Sequence, residues 1–323
     1  MVEKLDLKDR KILFELEQNS RQSLNQISKS VRLKKETVFY RIKNLEKRGI
    51  IKNYLTEINI YKLGYQFYPM LLKFQNSTPE VEEKIYKYLL NNKYIAWLTK
   101  CEGAWDVNLT LITKSNFQVD EFLNNFLRKF SRYILDKCIF ITTELHYFKR
   151  GFWLDKTTTQ IVSMGEEKTI EIDKKDFKLL NALAIEARKS LVEIGDFLKT
   201  NPKNISYRLK RLETQEIIQG YKILTDFTKM EYKFYKIFFS LKNTNKDNFN
   251  KLMQYFKNHP NIIWATKIIG SYDISIEMEV KDVQMFRSIL DEIKEKFSYF
   301  IKKHESLLIF EEGTMNYFPS SQI

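Results

Sequence analysis

Two short stretches of this chain concentrate the groups that bind polyanions. Between residues 20 and 48 stand nine lysines and arginines against two acids, and between 187 and 215 seven against three. Lys34, Lys35, Glu36, Thr37, Tyr40, Arg41 and Lys43 form one run, and Lys203, Asn204, Ser206, Tyr207, Arg208 and Lys210 another. Ammonium and guanidinium groups bind phosphate oxygens, and side chains on an exposed helix face reach base edges in the major groove of duplex DNA. Glu36 suits the amino group of cytosine, and Lys43 the acceptors of guanine. Two readings stay open for the tyrosines, which either stack on a DNA backbone or pack against the neighbouring strand. Arg41 and Arg208 lie beside an apolar stripe, where a structural ion pair competes with phosphate contact. For both runs the competing reading is a solvated basic face, and the elements around them decide against it.

Those elements are written twice. Sliding the chain by 167 residues places Leu24 and Ile27 on Leu191 and Ile194, Tyr40-Arg41 on Tyr207-Arg208, and Ile50-Ile51 on Ile217-Ile218. Further along, Trp97, Thr99-Lys100, Gly103 and Asp106 fall on Trp264, Thr266-Lys267, Gly270 and Asp273. One register held over so long a span indicates duplication and fusion. The expected units are 5–148 and 172–315, each bipartite.

The first part of each unit has helical period. Ile12, Leu13 and Leu16 mark a first helix, and Leu24, Ile27 and Val31 a second behind the N-cap Ser23. Val38, Ile42 and Leu45 form the buried stripe of a third, with the basic residues opposite; Ile205, Leu209 and Leu212 repeat it. Gly49 ends the third helix, and strand formers over 50–60 follow as a β-ribbon. Three helices with a tight turn before the third, then a ribbon, is a winged helix-turn-helix pattern. The second part alternates strand and helix signals in the order βαββαβ, which is ferredoxin-like. Two helices would cover one sheet face; the other needs a partner, to which Trp97 and Trp264 contribute. The expected fold is α+β, with winged helix-turn-helix domains at 1–63 and 172–230 and ferredoxin-like domains at 64–148 and 231–318. Residues 149–171 connect them as a short hairpin or a linker.

Composition narrows the class. The net charge is +13, and the two basic stretches carry eleven of it. A hydrophobic fraction of 43% excludes general disorder. No apolar run approaches the ~18–20 residues of a membrane span, and the N-terminus has no signal core, so a cytoplasmic protein without a membrane partner is expected. Two cysteines and three histidines cannot make a disulfide framework or a Cys/His zinc site of usual spacing, and no cofactor is expected.

The sequence resembles the leucine-responsive and asparagine regulators of bacteria and archaea, the Lrp/AsnC family. The residues that carry this are Leu5-Asp6-x-x-Asp9-x-x-Ile12-Leu13, Thr37-Val38-x-x-Arg41-Ile42-x-x-Leu45-Glu46-x-x-Gly49-Ile50-Ile51 and the Gly103-x-x-Asp106 turn. The second unit shows Ile172-Asp173, Asn204-Ile205-x-x-Arg208-Leu209-x-x-Leu212-Glu213 and Gly270-Ser271-Tyr272-Asp273. The resemblance implies a winged helix-turn-helix followed by a RAM domain. It implies duplex DNA as partner, and homo-oligomers through RAM sheets paired back to back. It also implies a small-molecule effector such as an amino acid near the Gly-x-x-Asp turn, hence near Gly103, Asp106, Gly270 and Asp273. Here two units stand where one is usual, so a fused pseudodimer follows. Glu216 stands in place of the helix-ending glycine, and Lys34 where a small N-cap is common.

Two rival readings remain. Siroheme decarboxylases look similar to these regulators and occur as two-unit fusions, but their Thr-His-Asn-Tyr-like stretch would fall at Trp97–Lys100 and Trp264–Lys267, where no histidine stands. A non-specific architectural DNA-binding protein would need only charge and oligomerisation. A regulator rather than an enzyme is the reading the residues favour.

Overall fold

The computed structural model describes residues 4–156, 161–165, 167–242 and 245–319. The first unit begins with α1 (Leu7–Gln18), α2 (Leu24–Val31) and α3 (Lys35–Lys47), followed by β1 (Ile51–Ile58). Asp6 caps α1 by accepting from the Asp9 amide, and Ser23 and Gln26 close a capping box on α2. Ile12, Leu13, Leu16, Ile27, Val31, Val38, Ile42 and Leu45 bury together, so the helical stripes read from the sequence form the core of this domain. A single 3-10 turn at Tyr61–Leu63 leads into β2 (Gln66–Phe74), α4 (Pro79–Leu90), β3 (Ile95–Glu102), β4 (Val107–Thr113), α5 (Asn116–Phe130), β5 (Ile134–Ile139) and β6 (Ile141–Phe148).

After β7 (Ile161–Gly165) the second unit repeats the order with α6 (Lys174–Ala184), α7 (Leu191–Leu198), α8 (Pro202–Thr214) and β8 (Ile218–Thr225). Then come β9 (Lys233–Leu241), α9 (Lys246–Asn258), β10 (Ile262–Ile269), β11 (Ile274–Val280), α10 (Val283–Phe297) and the long β12 (Ile301–Met315). No helix among the described residues is long and apolar enough to cross a membrane.

The expected ribbon after the third helix is not a hairpin within one unit. Each unit supplies a single strand, and β1 pairs antiparallel with β8, Tyr54 opposite Ile223 and Thr56 opposite Tyr221. A lone strand leaves its amide and carbonyl groups unpaired, and the second copy satisfies them. Both ends of the ladder are clamped alike: the Asn59 amide donates to the Ile217 carbonyl at 2.8 Å, and the Asp226 amide to the Ile50 carbonyl at 2.9 Å.

The remaining strands form one ten-stranded sheet in the order β5-β2-β4-β3-β12-β9-β11-β10-β6-β7. Each ferredoxin-like unit is visible in it, but its last strand does not stay at home. β5 pairs with β2, the chain turns at Phe140, and β6 then pairs with β10 of the second unit. The first part of β12 pairs with β9, and its end pairs with β3 of the first unit. Each unit thereby covers the open edge of the other. Their helix-free faces meet in a common core where Trp97 lies 6.2 Å from Phe234, Phe140 5.6 Å from Phe238, and Tyr147 4.5 Å from Trp264, ring centre to ring centre. Separate cores lie under α4 and α5 and under α9 and α10. The connecting segment is packed in: Arg150, Phe152 and Trp153 are buried, and β7 adds to β6 as an edge strand.

Candidate nucleic-acid interface

The two third helices, α3 and α8, are built on one frame. Their inner stripes bury Val38, Ile42 and Leu45, and Ile205, Leu209 and Leu212. Asn201 caps α8 by accepting from the Asn204 amide at 2.8 Å, whereas Lys34 gives α3 no side-chain cap. That leaves amides at the α3 terminus for solvent or an anion.

The outward faces carry most of the residues expected there. Lys34, Lys35, Glu36, Tyr40 and Lys43 are exposed on the first, with Thr37 half-buried; Lys203, Asn204, Ser206, Tyr207 and Lys210 are exposed on the second. Tyr40 and Tyr207 are 72% and 69% exposed, so they do not pack on the neighbouring strand. The strands bond to the helices through their own tyrosines: the Tyr54 hydroxyl donates to Glu46 and the Tyr221 hydroxyl to Glu213, both at 2.6 Å. Lys43 pairs with Glu46 at 2.8 Å along the exposed face, a contact weak enough in water to exchange for a phosphate.

Arg41 and Arg208 are both engaged in ion pairs. Arg41 reaches Asp6 at 2.9 Å and Asp9 at 2.6 Å; Arg208 reaches Asp173 at 2.7 Å and Asp176 at 2.8 Å. Burial works against charge on Arg41, yet the two carboxylates outweigh it and raise its pKa. Each arginine ties a third helix to the cap of the first helix of its own unit. In each arginine one nitrogen, Nη1, meets both carboxylates, and this pairing positions the helix.

Sequence reasoning missed two features. Phe39 is 50% exposed on the outer face of α3. It falls one residue from Tyr40, and only the burial of Val38 and Ile42 on the opposite side shows which way it points. Lys62 and Lys229, at equivalent places, reach across the pseudo-two-fold: Lys62 Nζ donates to the Gln215 carbonyl at 3.0 Å, and Lys229 Nζ to the Arg48 carbonyl at 3.1 Å. Each puts a cation at the C-terminus of the other unit's third helix, where the helix dipole favours it. Glu216, in the left-handed conformation at φ 55°, also pairs with Lys62 at 3.1 Å.

The two Gly-x-x-Asp turns are tight in both units. Gly103 and Gly270 have φ of 136° and 152°, and a Cβ on Gly270 would meet Phe140 at 2.7 Å. Asp106 accepts from the Phe74 amide at 2.6 Å, and Asp273 from the Leu241 amide at 2.7 Å, so both aspartates fix the turn. Their surroundings differ. Beside Asp106, Lys73 pairs with the carboxylate at 2.8 Å, and Lys100 bridges Glu83 at 3.2 Å and Glu311 at 3.0 Å. Ser240 and Asn250 replace Lys73 and Glu83 in the second unit, and Lys267 meets Glu144 alone of the corresponding pair, at 2.8 Å. A cleft of about 680 Å³ opens there, lined by Glu144, Asn245, Phe249, Lys267 and Asp273 among others.

Comparison with known proteins agrees with the repeat. A family model for winged helix-turn-helix DNA-binding domains matches residues 5–52 and again 172–219. An uncharacterized HTH-type transcriptional regulator of Pyrococcus furiosus is 30% identical over 152 residues, which is 46% of this chain and 95% of the relative. A second from that organism is 31% identical over 127 residues, 39% of this chain and 83% of the relative. Each relative thus spans about one unit. The crystal structure of the siroheme decarboxylase NirDL superposes with a TM-score of 0.63 over 97% of this chain and 94% of its own, at 10% identity, a likeness of fold alone. The chain belongs to the HTH-type transcriptional regulators with a winged helix-turn-helix DNA-binding domain, as a tandem duplication that forms a pseudodimer within one polypeptide.

Proposed function

We propose that this chain regulates transcription by binding duplex DNA sequence-specifically through the outer faces of α3 and α8. The observation that carries the reading is the pairing of two exposed basic helix faces on one clamped frame, so that a single chain presents two reading heads. Lys34, Lys35 and Lys43, with Lys203 and Lys210, take phosphates or base edges; Glu36, Thr37, Tyr40, Asn204, Ser206 and Tyr207 supply the remaining contacts. Arg41 and Arg208 act by holding the helices. The test is a gel shift against promoter fragments, with unrelated duplex as competitor. Tight binding that unrelated duplex does not displace supports the reading; equal affinity for all sequences replaces it with an architectural role.

We further place a small-molecule effector such as an amino acid in the cleft beside Gly270 and Asp273. Lys267 and Asp273 offer opposite charges for a zwitterion, and Phe249 an apolar wall. In the first unit Lys73 engages Gly103 and Asp106, and Lys100, the counterpart of Lys267, is held between Glu83 and Glu311. Self-association between chains belongs to the same proposal. It would use outer surfaces such as the exposed pair Ile141 and Ile269, which stand opposite each other at the cleft rim, because the helix-free sheet faces are already paired inside the chain.

An enzymatic reading as a siroheme decarboxylase has the fold in its favour. His146 does lie opposite Ala265, within the second Trp264–Lys267 stretch, but Ser163 and Glu144 engage its ring nitrogens at 2.9 and 3.4 Å. Release of carbon dioxide from siroheme by the purified chain would establish that activity.

A further inference from the structure

The duplication supplies an internal control for every residue on the reading heads. The buried stripes of α3 and α8 are equivalent, and the clamps around them are equivalent, but the exposed positions are not. Glu36 in the first turn of α3 corresponds to Lys203 in α8, a reversal of charge. Phe39 corresponds to Ser206, and Lys47 to Thr214. Tyr40, Lys43 and Glu46 keep their type, as Tyr207, Lys210 and Glu213. Because Ser206 occupies the same frame without loss of the stripe, folding does not require an aromatic ring at residue 39. An exposed phenyl group on an otherwise basic face has a different use.

Base-edge chemistry gives that use a direction. A carboxylate accepts from the cytosine amino group, a lysine donates to guanine O6 and N7, and a phenyl ring packs on the thymine methyl. Residues near the N-terminus of a recognition helix are those that meet base edges. The β1–β8 ladder and the Lys62 and Lys229 cross-links hold both helices on one body, and a single stretch of DNA that engages both is read in a fixed order.

We propose that this chain reads a non-palindromic operator, with cytosine and thymine specified by Glu36 and Phe39 in one half-site and guanine specified by Lys203 in the other. A homodimer of identical units presents the same face twice and has no direction on its site. This chain has one, so its first and second units mark opposite ends of the operator. The inference rests on the proposal that the chain binds DNA through these helices.

Selection from a randomised duplex pool with the full chain tests it, alongside the double variant Glu36→Lys/Phe39→Ser, which gives α3 the residues of α8. Unlike half-sites about one helical turn apart are expected from the parent. The double variant should move the first half-site toward the second, giving a more symmetric consensus. It should also bind the parent's operator more weakly by at least the about 5- to 150-fold of one lost base contact, since two are removed. A palindromic consensus from the parent overturns the inference while leaving DNA binding intact. So does an unchanged consensus from a variant whose thermal melt matches the parent's. Failure of both proteins to enrich any sequence overturns sequence-specific binding itself.

Discussion

The two units differ in where they have been allowed to change. Contacts that hold the frame are kept in pairs, between the units Lys62 with Lys229 and Asn59 with Asp226, and within each unit Tyr54–Glu46 with Tyr221–Glu213 and Arg41 with Arg208. Residues that face outward from the reading heads and clefts have diverged. A homodimer cannot make that distinction, since any change appears on both sides. Fusion removes the constraint, and the pseudo-symmetric frame then carries unlike surfaces.

The interior has diverged as well. In unit two Lys222, Lys236, Glu277 and Glu279 stand where unit one has Leu55, Pro69, Thr110 and Ile112; in unit one Glu17, Glu57 and Arg150 stand where unit two has Ala184, Leu224 and Tyr317. These charges meet in the common core. Arg150 pairs with Glu279 at 2.7 Å and with Glu17 at 3.3 Å, and Lys236 with Glu277 at 2.8 Å. Lys222 lies over the Tyr147 and Trp264 rings, at 3.7 and 4.3 Å from their centres. Burial lowers its pKa to about 8, against the pull of Glu57 and Glu17. Glu57 is buried with no hydrogen bond to either oxygen, and burial pushes its pKa up.

Variants at matched positions of the two units test how far they have come to differ. The largest effect is expected from Lys43→Glu with Lys210→Glu, which should abolish promoter binding with the fold intact. The single variants compare the heads: Lys43→Glu should cost more than Lys210→Glu, because the first stretch carries more charge. Unchanged affinity in the double variant sinks the assignment of α3 and α8. For the parent, affinity should fall steeply with salt, each neutralised phosphate adding about 0.9 to the log–log slope.

Next in size is the core. Lys222→Leu should destabilise in denaturant melts, by less than the ~3–5 kcal/mol of a broken buried ion pair, since Glu57 loses one balancing charge but keeps Lys149 at 3.9 Å. Adding Glu57→Leu installs the apolar pair seen at the equivalent positions and should recover most of that loss. A double variant as weak as the single would show that the charges are not coupled. The sign with pH follows from a lowered lysine. Between pH 8 and 10.5 the unfolded chain holds this proton more fully than the native one, so the parent gains stability as pH rises through that window. Lys222→Leu should lose that gain.

A smaller effect separates the cross-links. Lys62→Met and Lys229→Met should each cost on the order of 1 kcal/mol in the same melts. Lys62→Met should cost more, because Lys62 also holds Glu167 at 3.0 Å and Glu216. Equal costs would make the added carboxylates irrelevant. Last, calorimetry with a bound amino acid should give one site per chain, and Glu83→Asn should raise it toward two. Two sites in the parent would show that the first turn is not closed.

Much of this was legible in the chain. The period of 167, the three helical stripes and the βαββαβ order are local patterns, and local patterns set elements and their inner faces. The basic runs pointed to α3 and α8 for the same reason. Arg41 was open because a residue beside a stripe turns inward only if a partner waits there, and Asp6 and Asp9 are 35 and 32 residues away. The exchange of β6 and β12 was hidden because a strand's own sequence does not say which edge it covers. Lys62 looked like any surface lysine until the other unit's helix end was placed against it.

By itself, then, the sequence determined two copies of a helix-turn-helix and a ferredoxin-like unit, with basic faces on their third helices. Side-chain period and capping are short-range properties that a single strand or helix carries with it. That the copies close on each other through β1–β8, β6 and β12, and that one turn carries a double bridge while a cleft opens beside the other, emerged on folding. Those outcomes depend on unpaired strand edges and buried charges finding partners more than a hundred residues away, and such partners exist only once the chain has folded.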